Sequence, residues 1–113
     1  MKTYLALQKK ICEKYDSAFM PLGDHEMIAL ALQTVGMNPV HGIRMRQVEQ
    51  GDVGWFLYCG EYSSADDFYK PMHAEHLIRI LPIVCQYLAL APGYRFIIDA
   101  QGYEDVWYDD TVL

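Results

Sequence analysis

"HGIRMRQVEQGDVGWFLYCG", residues 41–60, decides the fold class because it predicts two strands joined by a tight turn. Aliphatic side chains and arginines alternate in "HGIRMRQ", with the period of two that is typical of a half-exposed strand. The alternating pairs are Ile43 and Met45 against Arg44 and Arg46. "EQGD" supplies the turn, and "VGWFLYCG" is rich in the aromatic residues that sheets favour. We expect Trp55, in this second strand, to lie in the core.

The segments before this hairpin add one helix and one strand. Residues 3–17 place apolar side chains at spacings of three and four, as an amphipathic helix does. "MIALALQTV", residues 27–35, is a short apolar run that could form a buried strand or a helix, and its length and the closing turn "GMNP" favour a strand. Three consecutive strands with short connections predict an antiparallel meander.

The segments after the hairpin add a second helix and two more strands. Residues 73–88 carry apolar side chains at helical spacing, and the expected buried set is Leu77, Leu81, Val84 and Leu88. Pro82 lacks an amide hydrogen, so the helix should kink there or divide, with Pro82 opening the second piece. "YRFIID" and "YEDVWYD", separated by "AQG", then predict a closing hairpin with Gly102 in its turn.

The order of these elements predicts an α+β fold of two layers, in which a mostly antiparallel sheet of four to five strands packs against two main helices. The chain has 113 residues, enough for one core, so residues 1–113 are expected to form a single domain. No apolar run is long enough to span a bilayer, and no export signal is visible at the start. The odd set of separated cysteines, Cys12, Cys59 and Cys85, is typical of free thiols in the cytoplasm.

Charge is distributed unevenly along the chain, whose formal net charge is −6. Through residue 50 six basic residues accompany five acidic ones, whereas from residue 51 onward three basic residues accompany ten acidic ones. An acidic field of this kind repels nucleic acid and attracts basic partners. The charge therefore predicts no direct nucleic-acid binding, and the lack of a long apolar run predicts no membrane partner.

Motifs for catalysis, cofactors or metals are weak. His73 and His76 stand three apart on the predicted helix, but two ligands do not make a metal site, and Glu75 between them is expected to point elsewhere. No glycine-rich phosphate loop occurs, and the cysteines lie in apolar patterns without a positioned base. Paired carboxylates leave a small enzyme open as an alternative, but we expect no catalytic residues, no metal and no cofactor.

Acidic and aromatic residues interleave in two stretches, "CGEYSSADDFY" and "GYEDVWYDD". Tyrosine and tryptophan supply contact area in interfaces, and carboxylates bind lysine or arginine of a partner. A merely polar chain end is the alternative for the second stretch. The predicted partner-binding residues are Glu61, Asp66, Asp67, Asp105, Trp107, Asp109 and Asp110.

The last predicted strand must turn its side chains alternately to two faces. We predict that Val106 and Tyr108 face the core, with Glu104 at its margin paired to Arg95 on the adjacent strand. The other face would then present Asp105, Trp107 and Asp109 to a basic partner. The opposite assignment, with Trp107 buried and Glu104 outward, stays open at this stage.

Four stretches of the chain resemble one known family. "GWFLYCGEYS", "DDFYKPMHAEHL", "PIVCQYLALAPGYRFIID" and "GYEDVWYD" are similar to the bacterial polymorphic-toxin immunity proteins of the family numbered thirty-three in the immunity series. "MIALALQTVGMNPVHGIR" also resembles the segment that precedes the Gly-Trp motif there, so the resemblance covers most of the chain. The family tends to have tryptophan where this chain has Tyr94, which keeps an aromatic ring.

This resemblance implies a small cytoplasmic inhibitor that binds a cognate toxin, with no cofactor or catalytic residue to transfer. Many toxins of this kind are nucleases with basic active-site surfaces, which an acidic inhibitor can cover. The alternatives are a housekeeping binding module of unknown ligand and, further off, a small enzyme or a metal-binding protein. A deep pocket that gathers His73, His76 and carboxylates would favour an enzyme.

Overall fold

The computed structural model describes residues 1–113 as an α+β fold with one sheet and two main helical segments. Six strands form the sheet: β1 (Met27–Leu30), β2 (Val40–Arg44), β3 (Trp55–Cys59), β4 (Lys70–His73), β5 (Tyr94–Ile98) and β6 (Glu104–Tyr108). The α-helices are α1 (Leu5–Lys14) and α2 (Leu77–Ile80). Short 3-10 helices cover Lys2–Tyr4, Leu32–Thr34, Ala74–His76, Pro82–Tyr87 and Asp110–Val112.

The strand order is β4-β1-β3-β2-β5-β6, and the sheet is mixed. All neighbouring strands are antiparallel except β1 and β3, which run parallel with Ala29 opposite Phe56. The predicted meander is therefore wrong, because β1 pairs with β3 and not with β2. The predicted count of four to five strands is also too low. Pairing on both sides of β3 gives its apolar residues the central place in the sheet.

The strand that the sequence did not indicate is β4, which was predicted as loop and helix start. It lies at an edge of the sheet, paired to β1 with Pro71 opposite Ala29. A proline lacks the amide hydrogen that an inner strand needs but is tolerated at an edge. The segment is short and has no β-branched residue, so neither periodicity nor strand propensity marks it.

The second helical segment divides as Pro82 predicted. Helix α2 ends at Ile80, and Pro82 opens the 3-10 helix that follows. The expected inward-facing side chains, Leu77, Leu81, Val84 and Leu88, are all buried. They belong to a core cluster of 21 buried residues, which also includes Trp55 and Val106 as predicted.

Arg44 lies in the core, although the alternation of aliphatic residues and arginines in β2 suggests the surface for a charged residue. Its guanidinium donates hydrogen bonds to the carbonyl oxygens of three residues, at 2.8 to 3.0 Å: Met20, Leu88 and Leu90. The guanidinium carbon also lies 5.8 Å from the ring centroid of Trp55. Burial lowers the pKa of Arg44 from its ordinary value. The three carbonyl groups stabilise the buried cation through Nη1, whereas its Nε has no hydrogen-bond partner. Ile43, the preceding residue, lies on the other face of β2.

Candidate functional site: the open face of the sheet

The side chains on one face of the sheet are partly exposed. In β2 and β3 buried and half-buried residues alternate strictly, so the half-buried ones lie on the face opposite the core. We call this surface the open face. Its residues in four adjacent strands are His41, Ile43, Phe56, Tyr58, Arg95, Ile97, Asp105 and Trp107.

Strand register arranges these residues in two rows across the sheet. The first row runs from β6 to β3 through Asp105, Ile97, His41 and Tyr58. The second row runs through Trp107, Arg95, Ile43 and Phe56. The rings of the first row stack, with the centroids of His41 and Tyr58 4.4 Å apart and their planes 9° from parallel. The result is a continuous surface with an acid and a tryptophan at its β6 edge.

Arg95 links the residues at this β6 edge. Its guanidinium carbon lies 5.5 Å from the Trp107 ring centroid, and its Nη1 donates to Asp109 Oδ2 at 3.2 Å. Hydrogen bonds from Thr111, together with Arg95, hold the pKa of Asp109 below its ordinary value. The Asp109 carboxylate is thus already engaged within the chain. Asp105 is exposed and has no ion pair or side-chain hydrogen bond, so its charge is available to a partner.

The acidic stretch at residues 59–69, "CGEYSSADDFY", packs onto the open face through its aromatic residues. Phe68 is buried against the rings of Tyr58, Tyr62 and Tyr69, with centroids 4.9 to 5.9 Å apart. Tyr69 in turn meets Phe56 edge-on at 5.0 Å. Burial raises the pKa of Tyr69 to about 12, so its hydroxyl stays protonated.

All of the predicted partner-binding residues except Asp110 therefore lie beside one of two sides of the open face. Three acids of the 61–69 loop are exposed beside β3: Glu61, Asp66 and Asp67. Asp105 and Trp107 lie on β6, three strand spacings or roughly 14 Å from β3. Asp110 is exposed in the last 3-10 helix and belongs to neither row. Two acidic edges thus flank a central strip of aromatic and aliphatic side chains.

The assignment of faces in β6 is confirmed, with two corrections. Val106 is buried, Asp105 is exposed and Trp107 is half-buried. Tyr108 shares the face of Val106 but is 52% exposed, because it lies at the strand end against Tyr94. The expected pairing of Glu104 with Arg95 is wrong, since the two side chains lie on opposite faces.

Glu104 is bound by residues in the helices under the sheet and by Tyr15, which follows α1. It accepts hydrogen bonds from Lys14 Nζ at 2.7 Å, from Tyr87 Oη at 2.5 Å and from Tyr15 Oη. Burial alone would raise the pKa of Glu104, but these three hydrogen bonds outweigh it and lower the pKa below its ordinary value. The network ties β6 to α1 and to the 82–87 helix, and so fixes which face Asp105 and Trp107 present.

The histidines considered for metal binding or catalysis lie in other elements than the sequence predicts. His73 ends β4 and His76 ends a 3-10 helix, so they do not share one helix, although their rings stack at 6.3 Å. Glu75 does not point away from His73, as was predicted, but lies close to it and to His25. The groove beside His76 is open and has a volume of about 350 Å³. His76 and Glu75 line this groove but His73 does not, so it does not gather the two histidines.

The cysteines are also placed for packing. Cys12, Cys59 and Cys85 are free and buried. Burial is the main cause that raises the pKa of each thiol, to about 11 for Cys85. A raised pKa suppresses the thiolate that nucleophilic chemistry needs.

Comparison with known families agrees with the residues on which the resemblance rested. A family model described as the Imm33-like domain matches residues 7–109, which include all six strands, the second helical segment and α1 from Leu7 onward. The chain belongs to the Imm33-like domain family. No curated protein and no solved structure gives a match to this member of the family. None of its helices is both long and apolar enough to cross a membrane.

The residues that sequence reasoning missed lie in the middle of the open face. His41, Ile43 and Ile97 join the two predicted edges, yet none of them belongs to an acidic or aromatic stretch. The period of two in "HGIRMRQ" was the available signal. Charge suggests that Arg44 faces outward and Ile43 inward, which is the reverse of the observed arrangement. The buried arginine is the reason for this difference.

Proposed function

We propose that this Imm33-like protein is an immunity protein, which binds a cognate bacterial toxin in the cytoplasm and neutralises it. Membership of the family supports a toxin as the partner in general. Binding, with no catalytic residue and no cofactor, is the mode of action that we propose. The residues 1–113 would act as one immunity-protein-like domain.

The observation that supports the open face as the toxin-binding surface is its combination of aromatic area and unpaired acid. Half-buried rings such as Tyr58 and Trp107 give contact area with little loss of side-chain entropy. Asp105 and the loop acids Glu61, Asp66 and Asp67 are exposed at the two edges. A partner with lysines or arginines around an apolar centre would match this pattern.

The chemistry of the face favours a basic toxin, and a nuclease is one class that fits. The toxin would be covered where its own basic groups bind the phosphates of its substrate. The acids at the edges would speed association by attracting the basic surface over a distance, whereas the aromatic strip would slow dissociation. Arg95 and Asp109 would stay paired to each other and keep Trp107 in place.

Affinity capture from the producing bacterium, followed by a toxicity assay, tests the proposal. The captured protein should stop growth when it is expressed alone, and co-expression of the chain should restore growth. The proposal fails if every captured protein is harmless when expressed alone. A harmless partner held at high affinity would instead favour the housekeeping binding module.

A further inference from the structure

Three metal-ligating side chains meet at the corner of the sheet where β4 ends and β1 begins. They are His25, His73 and Glu75, and one ligand atom of each lies within 4.8 Å of the others. His25 Nδ1 is 3.9 Å from Glu75 Oε1, and the rings of His25 and His73 meet edge-on at 5.5 Å. This corner is on a different part of the sheet from the β6 edge of the open face.

Backbone contacts hold these residues together. Met27 of β1 is opposite His73 of β4, which brings the residues before β1 next to those after β4. The Ala74 amide donates to the Glu26 carbonyl at 2.8 Å, and the Glu75 amide donates to the Asp24 carbonyl at 3.1 Å. The ligands therefore come from two chain segments that main-chain hydrogen bonds fix to each other, and not from one flexible loop.

We propose that His25, His73 and Glu75 bind a divalent transition-metal ion of the zinc, nickel and copper class. Two imidazoles and one carboxylate suit these borderline ions, whereas calcium and magnesium require sets of oxygen ligands. Side-chain rotation can shorten the present separations, because His25 is 81% exposed and Glu75 is 41% exposed. Three protein ligands leave a fourth tetrahedral position for water or for a group of a partner.

The set differs from the histidine pair that spacing alone suggested. His73 and His76 were the obvious candidates, but their rings lie parallel at 6.3 Å, and His76 is not within the ligand group. His25 is distant in sequence from His73 and Glu75, and the pairing of β1 with β4 brings it close to them. His76 is therefore a matched control: a histidine next to the site that should not be a ligand.

Titration calorimetry with Zn²⁺ and with Ni²⁺ on the full chain tests the site. The wild type should bind one ion per chain. Binding should be weakened at least about tenfold by each of three substitutions: His25→Ala, His73→Ala and Glu75→Gln. Loss of a residue that only hydrogen-bonds a metal ligand already lowers metal affinity about 10- to 100-fold. His76→Gln should bind within about threefold of the wild type. Circular dichroism should confirm that each variant stays folded.

Co²⁺ absorption gives a second readout that depends on ligand type. The site should show d–d bands without a thiolate charge-transfer band, because all three cysteines are buried. Three results would overturn the proposal: no saturable binding below roughly millimolar metal, a loss in His76→Gln equal to that in His25→Ala, or a thiolate band.

Discussion

Replacing Glu104 by Gln should destabilise the protein by about 2 kcal/mol, because the carboxylate accepts hydrogen bonds from two tyrosines and one lysine. Hydrogen bonds to a charged group contribute about 1.5–3 kcal/mol, against about 0.5–1.5 for neutral pairs. Each hydrogen bond from a tyrosine should thus contribute about 1 kcal/mol less to stability when the acceptor becomes an amide. The ion pair with Lys14 adds little, since the lysine side chain is 62% exposed and screened by solvent.

Urea unfolding at neutral pH measures this change, and Asp105→Asn is the matched control. Asp105 is the next residue in β6, has the opposite orientation and makes no side-chain hydrogen bond. Its amide variant should stay within about 0.5 kcal/mol of the wild type, as surface substitutions usually do. Tyr87→Phe should cost less in the Glu104→Gln background than in the wild type. Equal stability of the Glu104 and Asp105 variants would refute the role of the network.

The effect of Glu104→Gln should also depend on pH in a defined direction. The pKa of Glu104 is lowered in the folded protein from its ordinary 4.5, so the folded state holds fewer protons on this group than the unfolded state does. Its contribution is therefore complete above about pH 5 and is lost as the pH falls through the lowered pKa. The unfolding free energies of wild type and variant should converge in acid. A difference that stays constant down to about pH 2 would contradict the account.

Three other changes probe the core and the open face. Leu81→Ala should lower the free energy of unfolding by roughly 2–5 kcal/mol in urea titrations, because it empties a buried site, and a loss below about 1 would contradict that burial. Arg44→Ala should cost roughly 3 kcal/mol or more by the same measurement, since three carbonyl groups lose their donor, and a neutral result would mean that water replaces the guanidinium. In a Trp55→Phe variant, acrylamide should quench the fluorescence of half-buried Trp107, whereas a protected, blue-shifted signal would contradict the assigned face.

Local patterns predicted much of the fold. Helical spacing in residues 77–88 identified the inward-facing leucines, and Pro82 identified the break between the two helical pieces. The alternation in β6 separated buried Val106 from exposed Asp105. These features depend on the periodicity of a single element, which the sequence carries directly.

Features set by contacts between distant residues were not predictable in the same way. The parallel pairing of β1 with β3 leaves no signal in the local sequence. The position of β4 at the edge of the sheet, where a proline is tolerated, leaves none either. Arg44 is buried because carbonyl groups from far along the chain surround it, and its charge alone suggested the surface. The partners of Glu104 were also not predictable from local sequence, since the tyrosines that bind it lie 17 and 89 residues away.

The most direct test of the open face as the toxin-binding surface is a pair of charge reversals measured against the captured toxin. Asp105→Lys alters the exposed acid of the open face, and Glu13→Lys makes the same change on an exposed position of α1. Asp105 is preferable to Asp109, whose carboxylate holds Arg95. The association rate at low salt should fall about tenfold for Asp105→Lys, and the deficit should shrink as added salt shortens the Debye length. Equal rates for the two variants would contradict the account.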